Sequence, residues 1–276
     1  MNSKEYISQL KLIKKEKSKK KFINSNLLEL RNLPVLSGVI NLKFNKNSFK
    51  MLNINNDDGV VLKYLWRDEY EPFTLELWYN LTRNNKYYID IGAHTGIYTI
   101  IGNLNKTQNQ IISIEPYFLN YARLISNLRL NNISHKSCIL SALSNTEGHD
   151  TFLVNTDSYY LSQGGKITKN GNFKIIKRML DSFKFNKAVG GIKIDTEGHE
   201  LETIQGSLKT IEKFFPDIIF EINKISFDKC LKLLKKLKYN FYLISEKEKK
   251  LFKISSFKEE YNQKEGTNCF ATIKKI

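Results

Sequence analysis

The chain has 276 residues, 41% of them hydrophobic and 12% aromatic, and carries a formal net charge of +16. This composition excludes a disordered chain and leaves room for one sizeable core plus an N-terminal extension. The three cysteines, Cys138, Cys230 and Cys269, are odd in number and far apart, which excludes a disulfide framework or a zinc cage and predicts buried thiols in a reducing, cytoplasmic setting.

The first 22 residues hold eight Lys against two Glu and supply +6 of the charge. Residues 1 to about 35 read as a frayed, solvated basic tail and a peripheral helix around Leu27, Leu28 and Leu30; the alternative is a tail that touches an anionic surface such as membrane lipid or nucleic acid. The chain has 38 Lys and only 6 Arg. Bidentate recognition of phosphates and bases leans on Arg, so nucleic acid is the disfavoured partner. No stretch approaches the roughly 18 consecutive apolar residues of a membrane helix, and the N-terminus lacks a signal peptide's apolar core.

After Pro34, the alternating or β-branched runs at 49–54 and 60–66 flank Asn55, Asn56, Asp57, Asp58 and Gly59, which predicts a hairpin. Pro72 predicts a helix over 73–81. Strand and helix then alternate, with strands at 87–91, 110–114, 137–143, 190–194, 218–222, 241–245 and 269–273. Helices are expected at 97–104, 120–130, 179–185, 201–214 and 227–238. The pattern is that of an α/β sheet with parallel strands. Segment 148–174 reads as a hairpin or mobile loop beside the sheet.

The run Tyr87-Tyr88-Ile89-Asp90-Ile91-Gly92-Ala93-His94-Thr95-Gly96-Ile97 is a buried strand entering a glycine turn and a helix. Gly92 and Gly96 let the backbone approach a ligand, and the helix start offers free N–H groups. Neither a G-x-G-x-x-G nor a G-x-x-x-x-G-K-[ST] pattern is present. Asp90 before the turn suits a sulfonium or ammonium ligand better than a pyrophosphate. Glu115-Pro116 ends the second strand, where a carboxylate meets the two hydroxyls of a ribose. Turn and carboxylate together predict a nucleoside-cofactor site, S-adenosylmethionine rather than NAD.

These residues resemble the FkbM family of methyltransferases. The resemblance begins at Tyr70-Glu71-Pro72 and runs through Asp90 to Gly96 and Glu115-Pro116. It continues with Asn120, Asn127 and Asn131, Ala142-Leu143-Ser144, Gly148 and Leu180-Asp181. Lys193-Ile194-Asp195-Thr196-Glu197-Gly198-His199-Glu200 is its most specific part, and Glu221 and 268–273 complete it. It implies a Rossmann-like methyltransferase sheet of seven strands, order 3-2-1-4-5-7-6, with helices on both faces. It also implies S-adenosylmethionine as donor and O-methylation of sugars or natural products. The expected division is an N-terminal tail and hairpin extension over 1–69 and a methyltransferase domain over 70–276. Glu71, Asp90, Gly92, Ala93, His94, Gly96, Glu115, Pro116, Ala142 and Asp195 are the expected cofactor-binding residues.

Methyl transfer needs an acceptor oxygen aligned with the S–CH3 bond and a base for its proton. Asp195, Glu197 and His199 are the catalytic candidates: Asp195 near the methionine end or the acceptor, and Glu197 or His199 as base. Glu197 and Glu200 are also suited to capping the following helix, and His94 to a polar loop. Asp195, Glu197 and Glu221 could gather oxygens for Mg2+, but nothing in the spacing demands a metal, and none is assigned. Trp66 and Trp78 read as core before sugar-stacking groups, and Tyr159 and Tyr160 lie in the loop expected to close over substrate. The expected acceptor is a saccharide or glycan-linked hydroxyl. Other small molecules, lipids, proteins, nucleic acids and a catalytically silent binding module are the alternatives.

Overall fold

The computed structural model describes residues 3–19, 21–105, 107, 110–155, 160–162, 164–261 and 267–276. Its N-terminal part opens with α1 (Ser3–Lys19) and α2 (Leu27–Arg31). The frayed tail expected there is therefore helical over Ser3–Lys19, because Ile13 is buried in the core and Lys17 Nζ donates to Leu65 O at 3.0 Å. A capping box starts α2: Asn26 Oδ1 accepts from Glu29 N at 2.9 Å and Glu29 Oε2 from Asn26 N at 3.1 Å.

The hairpin lies earlier than the sequence suggested. It is formed by β1 (Gly38–Phe44) and β2 (Asn47–Asn53), turning at Asn45 with φ +52°. Segment 60–66, expected as its second strand, belongs to helix α3 (Gly59–Arg67). Asp58 explains the difference, since its Oδ1 accepts from Val60 N at 2.9 Å and Val61 N at 3.3 Å and so caps the helix. The Val60-Val61 pair that suggested a strand is buried on α3.

The remaining elements are α4 (Pro72–Leu81), β3 (Tyr87–Ile91), α5 (Ile97–Asn103), β4 (Gln110–Glu115), α6 (Phe118–Leu130), β5 (Cys138–Leu140), β6 (Ala142–Leu143), β7 (Gly148–Leu153), β8 (Lys166–Ile167), β9 (Phe173–Arg178), β10 (Val189–Ile194), α7 (Glu200–Gln205), α8 (Leu208–Phe214), β11 (Asp217–Glu221), α9 (Phe227–Lys236), β12 (Asn240–Ser245), β13 (Lys250–Ile254) and β14 (Asn268–Thr272). The helix expected over 179–185 is only a 3-10 turn, Leu180–Ser182. The one expected over 201–214 is broken into α7 and α8 at Gly206, which packs against Ser144 O so closely that a Cβ there would lie 1.9 Å from it.

The large sheet has the order β13-β12-β14-β11-β10-β3-β4-β5, eight strands where seven were expected. The additional one, β13, is an antiparallel edge strand on β12 whose lysine-rich flanks mask its apolar residues. Strands β11, β10, β3, β4 and β5 run parallel, so their carboxyl ends share one edge. A smaller sheet, β6-β9-β7-β8, contains the hairpin expected within 148–174.

Side-chain alternation buries both faces of the large sheet. Tyr88, Ile111, Ile219 and Phe270 pack with Trp66, Trp78, Ile100 and Leu124, while Ile89, Ile192, Ile194 and Phe220 pack with Ile204, Ile211, Leu231 and Leu234. Each such side chain contributes about 1.5–3 kcal/mol on burial. Trp66 and Trp78, 1% and 0% exposed, are core residues. The first apolar cluster also takes in Ile13, Phe22 and Leu30, tying the N-terminal elements to the sheet. Among the described residues, no helix is long and apolar enough to cross a membrane.

Candidate functional site

The site forms where the parallel strands end. After β3 the chain turns at Gly92, φ +73°, whose N–H and that of Ala93 both donate to Ile114 O, at 2.9 and 3.0 Å. The loop after β10 crosses so closely that a Cβ on Gly92 would lie 1.7 Å from Asp195 O, and Asp195 N donates to Ile91 O at 3.0 Å. Only glycine fits this crossing. Gly96, φ +96°, ends the turn against Leu124 and begins α5.

Glu115, 4% exposed at the tip of β4, holds the turn from the other side. Its Oε2 accepts from His94 N at 2.8 Å and its Oε1 from Tyr117 N at 3.0 Å. Burial pushes its carboxyl up to about 7. The asparagines of α6 organise the surroundings. Asn120 donates to Ser162 O at 2.9 Å, Asn127 links Leu52 N to Thr95 O, and Asn131 pairs with both backbone groups of Lys50. The glycine turn is thereby braced on the N-terminal hairpin, with buried Arg123 and Asp57 forming a two-pronged ion pair beside it.

A polar row crosses the sheet beneath the turn. Lys193, Asp90 and Ser113 are aligned by register on adjacent strands. Asp90 is fully buried, with Thr99 Oγ1 donating to its Oδ2 at 2.6 Å. Its carboxylate thus faces α5 below the glycine turn and does not line the cavity. Lys193, 2% exposed, donates to Asp195 Oδ2 at 2.6 Å and lies 4.5 Å from the centre of the Tyr98 ring. The Tyr98 hydroxyl donates in turn to Glu71. Burial works against the Lys193 ammonium, but Asp195, Glu71 and Asp90 around it hold its pKa above the ordinary value.

Above this row is a cavity of about 170 Å3. Gly92, Ala93, His94, Glu115, Glu71, Asp195 and Glu197 line it, among the expected site residues, and Glu221 joins them from the end of β11. Burial, then repulsion from Asp195 and its neighbours, raises Glu197 to about 8 and Glu221 to about 9. A second, more apolar recess adjoins it, lined by Ile114, Pro116, Ala142, Leu143, Phe152 and Ile167.

His199 reaches that recess, not the carboxylate-lined cavity. Its Nε2 is 2.9 Å from Ser144 Oγ and its Nδ1 3.6 Å from Glu202. Burial lowers its pKa. Glu200 is fully buried and accepts from Thr196 N, Thr196 Oγ1 and Gly198 N, binding up the loop that presents Asp195 and Glu197. Glu197 itself sits at φ +53° and lines the cavity.

The sequence reasoning expected the loop around Tyr159 and Tyr160 to close over substrate but missed most of the other walls. Val60 and Lys63 of α3, Ile97 and Tyr98 of α5, Phe152 of β7, and Ser162 and Gly165 all border the cavity. The last two belong to a strap fastened by Leu161 N donating to Asp57 O at 3.1 Å and by Arg31 resting on the Tyr160 ring, 3.8 Å from its centre. Tyr159 lies outside the described residues. Nothing local marks Val60, Lys63, Tyr98 or Phe152, since distant segments bring them together; Tyr70, Ile97, Asn120 and Lys193 stand in motifs already noted.

The methyltransferase FkbM domain matches residues 90–241, more than half of the chain. The chain belongs to the FkbM methyltransferase family. S-adenosylmethionine is accordingly its cofactor, and the residues fit that group. The Gly92 crossing leaves a cradle without side chains, Glu115 brings a carboxylate to the cavity from the tip of β4, and the Pro116–Ala142–Leu143 recess is apolar.

Solved structures with similarity include the methyltransferase FkbM from Methylobacillus flagellatus KT, at 16% identity, TM-score 0.46, covering 79% of this chain and 54% of that one. An S-adenosylmethionine-dependent O-methyltransferase from Thermotoga maritima gives 9% identity and TM-score 0.44, over 86% of this chain and 77% of that one. An rRNA methylase from Streptococcus thermophilus gives 9% and 0.42, over 72% and 93%. The chain spans about half the length of the Methylobacillus protein. No curated protein matches it.

Proposed function

We propose that this FkbM methyltransferase methylates a hydroxyl oxygen of a saccharide or glycan-linked acceptor. The observation that supports methyl transfer here is a carboxylate-lined cavity at the ligand-binding edge of the sheet in a protein of net charge +16, and the saccharide acceptor is what the resemblance to the family implies. Glu71, Glu115, Asp195, Glu197 and Glu221 outnumber Lys63 and Lys193 along its lining, an environment suited to a cation. Bound there, S-adenosylmethionine supplies an electrophilic methyl group on a positively charged sulfur.

In this reading, Glu115 holds the ribose hydroxyls, Gly92 and Ala93 admit the ligand to the backbone, and Pro116 and Ala142 flank the adenine. His94 and Gly96 complete the turn. Asp195, fixed by Lys193, and Glu71, fixed by Tyr98, hold the methionine end, with Asp90 stabilising Lys193 from below. Glu197 acts as base. Its carboxyl, raised to about 8, is matched to a hydroxyl that loses its proton only as the new bond forms. His199, anchored by Ser144 and Glu202, positions the loop that carries Glu197. Residues 1–69 serve as an extension on the 70–276 methyltransferase domain, and the α3 and strap residues exclude water from the reacting groups.

The test is incubation with methyl-labelled S-adenosylmethionine and a panel of oligosaccharides, nucleotide sugars, lipids and nucleic acids. The expected product is a labelled methyl ether on a sugar. Label found only on a non-saccharide acceptor overturns the acceptor assignment.

A further inference from the structure

Beyond the far end of the carboxylate-lined cavity the surface opens into a second, larger cleft of about 490 Å3. Its position follows from the sheet order. Along the shared edge, the sequence Ala142, Glu115, Gly92, Asp195, Glu221 runs from β6 and β4 through β3 and β10 to β11, so the nucleoside end lies over β4 and the methionine end towards β11. The next strand in space is β14, whose Asn268 pairs with Glu221, and after it comes β12. Asn268 and Thr267, with Leu243 to Lys247 at the end of β12, form one wall of the cleft. Ile23 and Asn24, together with Arg67 and Glu69, also line it.

Lys63, Tyr70 and Glu71 line both spaces and form the neck between them. Tyr70 also senses Asp195 from this position, since that carboxylate is among the charges that, after burial, push its phenol upward. A ligand in the cleft would therefore reach the methionine end from the side opposite the nucleoside. Ser162 and Gly165 border the cavity elsewhere, with Phe152 and Asn120, and none of the described residues of the strap lines the cleft.

The lining has a distinct chemistry. Asn24, Ser245, Thr267 and Asn268 offer amide and hydroxyl groups that both donate and accept, beside the apolar surfaces of Ile23, Pro72, Leu243 and the Tyr70 ring. Three carboxylates, Glu69, Glu71 and Glu246, balance Lys63, Arg67 and Lys247. Such a surface matches a neutral chain of hydroxyl groups on apolar ring faces, and its carboxylates oppose a polyphosphate. We infer that this cleft binds the acceptor, as a neutral saccharide, and delivers its hydroxyl through the Lys63–Tyr70–Glu71 neck.

The inference rests on the saccharide reading above. Its test uses the full chain, with Asn24→Trp and Lys247→Trp at exposed rim positions to fill the cleft, and neutral oligosaccharides and labelled donor as probes. The expected result is an acceptor KM raised about tenfold or more in each variant, with S-adenosylhomocysteine affinity by calorimetry within about twofold of the parent. An unchanged acceptor KM in both variants, with the parent methylating a saccharide, overturns the cleft assignment and leaves the saccharide reading standing. Methylation by the parent of non-saccharide acceptors alone overturns the saccharide reading and this occupant together. A variant that loses S-adenosylhomocysteine affinity is replaced by Asn24→Ala combined with Lys247→Ala, read by the same two measurements.

Discussion

At the Glu115 end of the cavity the backbone donors are satisfied within the protein: Glu115 accepts from His94 N and Tyr117 N, and the N–H groups of Gly92 and Ala93 share Ile114 O, while buried His94 Nε2 and Asn120 Oδ1 have no partner among the described residues. At the Asp195 end, Glu197 and Glu221 stand beside Asp195 with raised pKa values, and the buried ammonium of Lys193 is already bonded to Asp195. The first end carries one buried carboxylate held by backbone donors, whereas the second adds repulsion among Asp195, Glu197 and Glu221 that a cation would relieve. In the proposed reading, the difference separates recognition of the nucleoside, which is mainly geometric, from recognition of the sulfonium, which is mainly electrostatic.

The contrast is broken most severely at Gly92, where the two ends meet. Gly92→Ala sets a Cβ 1.7 Å from Asp195 O at φ +73°, and we expect a loss of about 3 kcal/mol in stability. Donor binding should be abolished, as thermal melts and calorimetry with S-adenosylhomocysteine can check. Asp195→Asn acts at the second end alone. Methyl transfer should fall about a hundredfold or more while the folded state persists, measured as kcat with labelled donor.

Varying pH sharpens the comparison. Glu197 and Glu221 have folded-state pKa values of about 8 and 9 against an ordinary 4.5. The stability they contribute is complete below the unfolded value and is lost as pH rises through the folded ones. The ligand-free protein should therefore melt at progressively lower temperature from pH 6 to pH 9, and Glu221→Gln should flatten that slope. Over the same range, affinity for S-adenosylmethionine, which is cationic at sulfur, should rise relative to S-adenosylhomocysteine, which is not. Equal pH profiles for the two ligands would remove the electrostatic half of the comparison.

The smallest effect is expected outside the cavity. Asn131→Ala deletes the amide that bonds both Lys50 N and Lys50 O, at 2.8 and 2.7 Å. It should cost about 1 kcal/mol by denaturant melts and leave donor affinity nearly unchanged.

The parallel strands were legible because burial on both faces writes continuous apolar runs. The predicted 87–91 matches β3, and 110–114 and 190–194 fall within one residue of β4 and β10. The glycine turn, Glu115 and the Asp195–Glu197 loop were legible because each is a local pattern. Segment 60–66 was not, since its valines fit either periodicity and the decision rests on the Asp58 cap. The structure also placed five predicted residues away from the cavity lining: Gly96 packs against Leu124, Pro116, Ala142 and His199 line the adjoining recess, and of the side chains Asp90 turns to Thr99 and His199 to Ser144. Both orientations depend on contacts with other elements. The same holds for Lys63, Phe152 and Gly165, which enter the cavity from α3, β7 and the strap.

Calorimetric titration of the purified protein with S-adenosylmethionine and S-adenosylhomocysteine at pH 8 addresses the central claim most directly. Saturable one-to-one binding of both, lost in Gly92→Ala and weakened in Glu115→Gln, is the expected result. No heat or saturation with either ligand would contradict the assignment of this cavity as the methyl-donor site.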